Sequence, residues 1–286
     1  MKKYIPHGCV LAAGILWGLI GIFSRNLSFA GLSPQSIVLV RNLGGLVLLF
    51  LLFLLTDRSV FKIEWKHLPI FFGTGIVSIL LFMLCYFSCQ RMCSLAVAGT
   101  LLYTSPAFVV IFSAILWKDK ITKKKLAALI AALLGCTFVT GLWTGELTVT
   151  LQGALFGVGS GLFYGLYSIF GRYALKHYKP YTVTFYTFLF AGVGALFTLR
   201  PAELAAGLSA PGAVWFAVGL VVISTVAPFL LYTKGLAKLE SSKAAILACI
   251  EPVTSAIVGI AVFGEPMSIM VLLGLLCILI SVYILR

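Results

Sequence analysis

Ten apolar segments run through this chain, and the last five repeat the first five about 146 residues later in one register. Trp17-Gly18-Leu19-Ile20-Gly21-Ile22-Phe23-Ser24-Arg25 lies over Tyr164-Gly165-Leu166-Tyr167-Ser168-Ile169-Phe170-Gly171-Arg172, with five of the nine positions identical. With a one-residue adjustment the same offset places Pro34 on Pro180, Ser78 on Ser224, Tyr86 on Tyr232, Pro106 on Pro252 and Asp119 on Glu265. A register held through several helices marks a duplicated five-helix unit. An odd number of crossings per unit forces the two copies into opposite orientations.

That the segments cross a membrane follows from composition. With 61% hydrophobic and only 10% charged residues among 286, the chain lies far from soluble proteins, where about 25% of residues are charged. A helix needs about 20 apolar residues to cross ~30 Å of hydrocarbon. The candidate spans are 7–28, 33–55, 67–89, 94–117, 124–143, 152–173, 180–199, 212–233, 242–263 and 266–285. The expected fold class is therefore all-α: a polytopic membrane protein with ten transmembrane helices in two inverted five-helix repeats, 1–145 and 146–286, with no soluble domain.

The net charge of +13 would suggest nucleic acid in a soluble protein, but here the placement of the charges matters more. Cytoplasmic loops retain Lys and Arg. If the N-terminus is cytoplasmic, seventeen basic residues from Lys2 and Lys3 to Arg286 collect on the inside, while the outside keeps Arg25, Arg91 and Arg200. This bias, together with an even number of spans, predicts both termini in the cytoplasm of a multi-pass protein of the cell (inner) membrane. Partners are then lipid and a small-molecule substrate, with no nucleic acid, and no oligomeric state is fixed. The basic start before an apolar run resembles a signal peptide, yet the run exceeds signal length and aligns with segment 152–173, so it is read as the first helix. Trp65 and Trp117 fall at the inner interface, Trp143 and Trp215 at the outer, as an aromatic belt requires; Trp17 alone sits mid-membrane.

All seven cysteines lie within spans or at their ends, where they act as small apolar residues rather than as a disulfide framework. Cys85, Cys89 and Cys93 share one helix face, which leaves a soft-metal stripe as an alternative. Without His or carboxylate partners beside them the expectation is no metal and no cofactor.

Charge inside the bilayer costs about 2.5–3.5 kcal/mol at a helix centre on insertion scales, and only Arg41 and Glu251 are deep. At 1.5 Å rise per residue they come within about 6 Å of each other along the membrane normal, near enough to pair. One reading is an ion pair that fixes helix packing, or an Arg41 that caps carbonyl groups at a helix break. The other is functional: Glu251 is the only carboxylate near the midplane, burial penalises its charged form, and that is the condition for exchanging a proton during transport. Its repeat mate is Ser105 and that of Arg41 is Thr187, so the site is asymmetric on a symmetric scaffold.

Pro106 and Pro252 remove a backbone donor from equivalent helices, predicting kinks that shape a cavity. Gly14, Gly18 and Gly21, with Gly157, Gly161 and Gly165, make small-residue faces on the first and sixth helices for close packing. Trp17, Tyr86, Tyr103, Tyr164, Tyr167 and Tyr232 are the candidates for a substrate-facing lining, the alternative for each being core packing. Asn42, Thr104 and Ser105 add hydrogen-bonding groups, though Thr and Ser also bond back to their own helix.

The segments Leu102-Tyr103-Thr104-Ser105-Pro106 through Trp117-Lys118-Asp119-Lys120-Ile121-Thr122, and Cys249-Ile250-Glu251-Pro252 through Phe263-Gly264-Glu265-Pro266-Met267-Ser268, resemble the EamA-type branch of the drug/metabolite transporter superfamily. Trp17-Gly18 and Arg41 also match its pattern; Lys118-Asp119 departs from the usual Gly-Glu, keeping the carboxylate and losing the glycine. The resemblance covers essentially the whole chain. It implies a ten-helix secondary carrier, commonly an exporter of amino acids, related metabolites or toxic compounds. Inverted repeats reach the same class independently, because their exchange of conformations gives alternating access around a midplane site. Proton coupling and facilitated diffusion both fit, with uptake as the alternative direction. An enzyme would need a nucleophile with its base, an aspartate pair or a metal cluster inside the bilayer, and the deep residues supply none. A water-filled channel should show polar stripes along several helices; these polar positions are sparse. A scaffold that transports nothing is the remaining alternative.

Overall fold

In the computed structural model, which describes residues 4–143 and 149–285, all regular secondary structure is helical. Eight helices among these residues are long and apolar enough to cross a membrane: α1 (Ile5–Phe29), α2 (Pro34–Thr56), α3 (Trp65–Met92), α4 (Leu95–Trp117), α6 (Leu151–Ala174), α7 (Pro180–Thr198), α8 (Ala213–Leu236) and α9 (Ser241–Phe263). Two helices of 17 residues, α5 (Lys123–Val139) and α10 (Ile269–Leu285), pack on each other, and a short helix, Pro201–Leu208, lies between α7 and α8 in the chain. Lys2, Lys3, Arg286 and the expected repeat boundary at 145/146 lie outside the described residues.

Local chemistry sets the helix starts. The side chains of Ser33, Ser94, Thr122 and Thr150 each accept a hydrogen bond from the backbone N–H three residues on, opening α2, α4, α5 and α6. Pro34 and Pro180 occupy first-turn positions, where a missing N–H costs nothing. α10 starts at Ile269, later than residue 266, where the Ser268 hydroxyl accepts from the Val271 N–H. α5 ends at Val139, short of residue 143, where a turn through left-handed Gly141 takes over. Large apolar side chains such as Leu55, Leu151 and Phe197 are at least 80% exposed, as suits a chain whose solvent is lipid.

Five helices are irregular, and four of the irregularities form two pairs at matching repeat positions. α4 breaks at Tyr103-Thr104 and α9 at Cys249-Ile250, so each is two half-helices, the second beginning with Ser105-Pro106 or Glu251-Pro252. The prolines therefore do not kink a continuous helix, as expected, but occupy the first turn of a new one. α3 and α8 carry equivalent π-helical stretches, Gly73–Leu80 and Val222–Val226, holding Ser78 and Ser224. α1 is broken at Leu19, whereas its counterpart α6 is continuous. The Ser224 hydroxyl donates to the Leu16 carbonyl at 3.0 Å, satisfying an acceptor loosened by that break.

The glycine faces pack across the repeats rather than against each other. A Cβ on Gly14 would meet Ile250 and Ala248, and one on Gly18 would meet Thr254 and the Glu251 carbonyl, so α1 lies against the broken centre of α9. Gly157, Gly161 and Gly165 face Leu101, Thr104 and the Ser105 carbonyl in the same way, laying α6 on the break of α4. Gly21, by contrast, faces open space. Cys93, Cys89 and Cys85 pack their sulfurs toward Gly153, Gly157 and Gly159 of α6, a filling role for small apolar side chains.

Each of these cross-repeat contacts ends in the same clamp. Arg172 donates to Asp119 at 2.6 and 3.4 Å with its guanidinium 4.2 Å from the Trp117 ring centre. Arg25 pairs with Glu265 at 2.6 Å and stacks 4.5 Å from Phe263. All four partners are repeat mates, and each carboxylate follows a left-handed helix end, Lys118 (φ +56°) or Gly264 (φ +66°). Lys118 thus performs a glycine's task with a Cβ, at a cost of about 1 kcal/mol. Lys118→Gly is expected to stabilise the protein by about that amount, read as a rise of a few degrees in the melting temperature of the purified protein; an unchanged or lower value would contradict it.

Candidate functional site

Equivalent residues touch each other only near the axis that relates two copies, and Trp17 and its mate Tyr164 do so, their rings 6.4 Å apart and nearly edge-on. Trp17 also packs on Phe229 at 5.2 Å and Tyr232 at 5.3 Å. Four of the six aromatic residues expected from sequence to line a cavity, Trp17, Tyr164, Tyr167 and Tyr232, thus converge on one place from α1, α6 and α8, while Tyr86 and Tyr103 line another space.

Glu251 lies at the first position of the second half of α9, where the free N–H groups and helix dipole favour a negative charge. Tyr164 donates its hydroxyl to Glu251 Oε2 at 3.3 Å, and Tyr103 stands near the same carboxyl group. Arg41 lies in the neighbourhood of Glu251, but the ion pair that was one of the two readings is not formed: no carboxylate lies within 4.0 Å of its guanidinium among the ion pairs of the described residues. The guanidinium instead sits 5.9 Å from the Phe229 ring centre, and its Nε is buried with no partner. Trp17 Nε1 is likewise a buried donor with nothing to bind. Two unfilled N–H donors around one ring system are costly in a dry interior, and an acceptor between them would relieve that cost.

The other expected residues divide clearly. Tyr167 shares a hydrogen bond with Thr233 at 2.7 Å and Tyr232 with Ser168 at 2.7 Å, so both hydroxyls are occupied and their rings form a wall. Asn42 is fully buried, donates weakly to Met83 Sδ at 3.6 Å and leaves its carbonyl oxygen without a partner. The Thr104 hydroxyl bonds back to Leu101 O at 2.6 Å, and Thr187, the mate of Arg41, is absorbed by Val183 O and Thr74.

Phe229 was not among the residues expected from sequence, yet it is the hub: Trp17, Tyr167, Phe188 and Arg41 all contact its ring. The register carried a signal, because Phe229 and Phe188 are the mates of Met83 and Asn42. One copy fills that contact with a thioether and an amide, the other with two rings. Ser168 and Thr233 were also missed; only the fold shows that they hold the tyrosines.

Two spaces flank Glu251 and differ sharply in size. Toward the Arg172 end, Trp17, Ser105, Tyr164, Tyr167, Phe229 and Tyr232 enclose about 20 Å³, room for about one water. Toward the Arg25 end, Tyr86, Tyr103, Thr140, Pro252, Ser255 and Glu265 line a vestibule of about 310 Å³, the size of a small-molecule site. The two tyrosines near Glu251 line different spaces: Tyr164 the closed one, Tyr103 the open one.

Comparison with known proteins agrees with the duplication. The model of the EamA-like transporter family matches this chain twice, over residues 6–141 and 151–286. A transporter of Archaeoglobus fulgidus, whose name says only that it is uncharacterized, is 30% identical over 95% of this chain and 92% of its own length. The inner membrane transporter YicL of Salmonella typhimurium, likewise named as uncharacterized, is 27% identical over 96% and 92%. A solved crystal structure superposes with a TM-score of 0.81 over 98% of this chain and 95% of the other at 17% identity, a likeness of fold.

Proposed function

Because this chain belongs to the EamA-like transporter family, a family of membrane transporters rather than enzymes, we propose that it carries a small carboxylate-bearing metabolite, such as an amino acid, out of the cell by alternating access. The observation that carries the reading is Arg41, whose guanidinium makes no ion pair within 4.0 Å and packs on the same Phe229 ring as Trp17, each of the two holding a buried N–H without a partner. An anionic group of the solute would take both free donors, and its amine or hydroxyl groups would face Glu251 and Tyr164.

Ten crossings in two inverted repeats, with both termini cytoplasmic, are part of this proposal. Inversion is supported by the contacts of α9: Gly14 and Gly18 of α1 meet Ile250 and Thr254 in ascending order, whereas Ser168 and Tyr164 of α6 meet Ser241 and Glu251 in descending order. The basic loops then place the Arg25 end outside and the Arg172 end in the cytoplasm. Glu251 is the coupling group. Tyr103 links it to the outward vestibule, so a proton enters from outside as the solute leaves, which suits export.

A screen of thermal stabilisation by amino acids, hydroxy acids and amines tests the recognition step. Carboxylate-bearing ligands should raise the melting temperature, and Arg41→Ala should weaken their binding at least tenfold, about 1.4 kcal/mol, while leaving simple amines unaffected. Equal affinity of wild type and Arg41→Ala for every carboxylate would remove Arg41 from the site. Saturable flux into proteoliposomes separates this carrier from a channel.

A further inference from the structure

Resting on the alternating-access reading, the two copies supply an internal comparison: one end of the molecule is open and the other closed. When inverted repeats exchange conformations, any contact present at both ends survives the exchange. A contact present at one end only distinguishes the states. The Arg25–Glu265 and Arg172–Asp119 clamps occur at both ends and therefore tie α1 to α9 and α6 to α4 in either state.

One strong contact is confined to the closed end. Lys125, at the start of α5, has a side chain only 4% exposed and binds Glu240, just before α9, at 2.8 Å. Its Nζ also donates to the Lys120 carbonyl at 3.0 Å, and Glu240 is flanked by Lys243 at 3.7 Å. Next to it the Ser241 hydroxyl donates to Ser168 O at 3.2 Å. The mates of Lys125, Glu240 and Ser241 are Val271, Ser94 and Leu95. Val271 and Leu95 line the open vestibule, where the charged residues Arg25 and Glu265 pair with each other in the clamp and no ion pair stands in the place of Lys125–Glu240.

We propose that the Lys125–Glu240 pair is the latch of the cytoplasmic gate. It is made while the carrier is open to the outside and must break for the carrier to open inward. Because the outer gate has no counterpart, the empty carrier rests outward-open, and the position of that equilibrium is set by these two side chains rather than by the solute site. Its lysine is sheltered while Glu240 is 41% exposed, so the pair is only partly screened and can bias two otherwise equivalent states. Glu240 retains Lys243 when Lys125 is removed, whereas Glu240→Gln leaves the Lys125 ammonium with the Lys120 carbonyl but no counter-charge, so Lys125→Met is the milder of the two changes.

The test uses the full chain with its native cysteines replaced, reconstituted in liposomes and carrying one reporter: Ala245→Cys in the closed wall or Ala256→Cys in the vestibule. With the pair intact, maleimide should label the vestibule reporter quickly and the wall reporter slowly. Lys125→Met, and separately Glu240→Gln, should raise the wall rate about tenfold and lower the vestibule rate. Exchanging the charges, Lys125→Glu with Glu240→Lys, should restore slow labelling of the wall. Melting temperatures identify any variant that fails to fold, and the other variant then decides. The latch is overturned if folded Lys125→Met and Glu240→Gln leave both rates unchanged while a mixture of the common amino acids moves the two reporters in opposite directions, in which case alternating access stands. If no condition moves the reporters oppositely, alternating access fails and the latch with it.

Discussion

Glu251→Gln is expected to abolish the pH dependence of flux in proteoliposomes, flattening a response of up to tenfold per pH unit, while leaving downhill exchange of solute measurable. The substitution keeps the size of the side chain and one acceptor oxygen, and removes the ionisable carboxyl group. Tyr164 can still meet it, and the start of the half-helix in α9 is unaltered. A folded Glu251→Gln carrier with the wild-type pH profile would end the coupling role of this residue. Its mate Ser105 provides the control: Ser105→Ala removes a hydroxyl from the closed wall and should leave the pH profile in place.

The second large effect is steric. Gly18→Val should destabilise the protein by at least ~3 kcal/mol, at or beyond the upper end of overpacking penalties, and sharply reduce the yield of folded carrier. A Cβ at Gly18 would overlap the Thr254 side chain and stand 2.7 Å from the Glu251 carbonyl oxygen and 3.0 Å from the Ser255 nitrogen, so backbone has to move. Its mate Gly165 is looser, with the nearest atoms at 3.0 and 3.1 Å, and Gly165→Ala should cost less than Gly18→Ala. Gly21→Ala, facing nothing within 4 Å, should be neutral or stabilising by up to ~1 kcal/mol through helix propensity. Melting in detergent measures the series. Gly18→Val melting with the wild type would show that α1 and α9 are not in this close contact.

These predictions divide according to what the sequence carried. The glycine faces were legible because a small residue every three or four positions is a helical pattern. Which helix they met was not: periodicity says that a face is small, and only the fold shows that Gly18 lies over the break in α9 while Gly21 lies over nothing. The acid turns after α4 and α9 were legible as motifs. Their arginine partners, 53 residues away for Arg172 and Asp119, belong to the other copy and become visible only when the copies pack. Glu251 and Arg41 stood out because charge is rare in apolar helices. Whether they pair was left open in the sequence, because depth along the membrane normal fixes one coordinate and leaves the lateral position free. Phe229 was overlooked for the opposite reason: 22 phenylalanines give a single ring no contrast.

The sequence by itself determined the membrane class, the duplication and the residues where the copies diverge, since hydropathy and register are local, repeating signals. The tertiary structure decided which divergent residues meet. It left Arg41 and Trp17 with open donors, gave Glu251 a tyrosine on the closed side and another nearby on the open side, and placed a charged pair at one end with apolar and hydroxyl mates at the other. Those outcomes depend on the lateral packing of helices distant in sequence, where a few ångströms separate an ion pair from a vacant site.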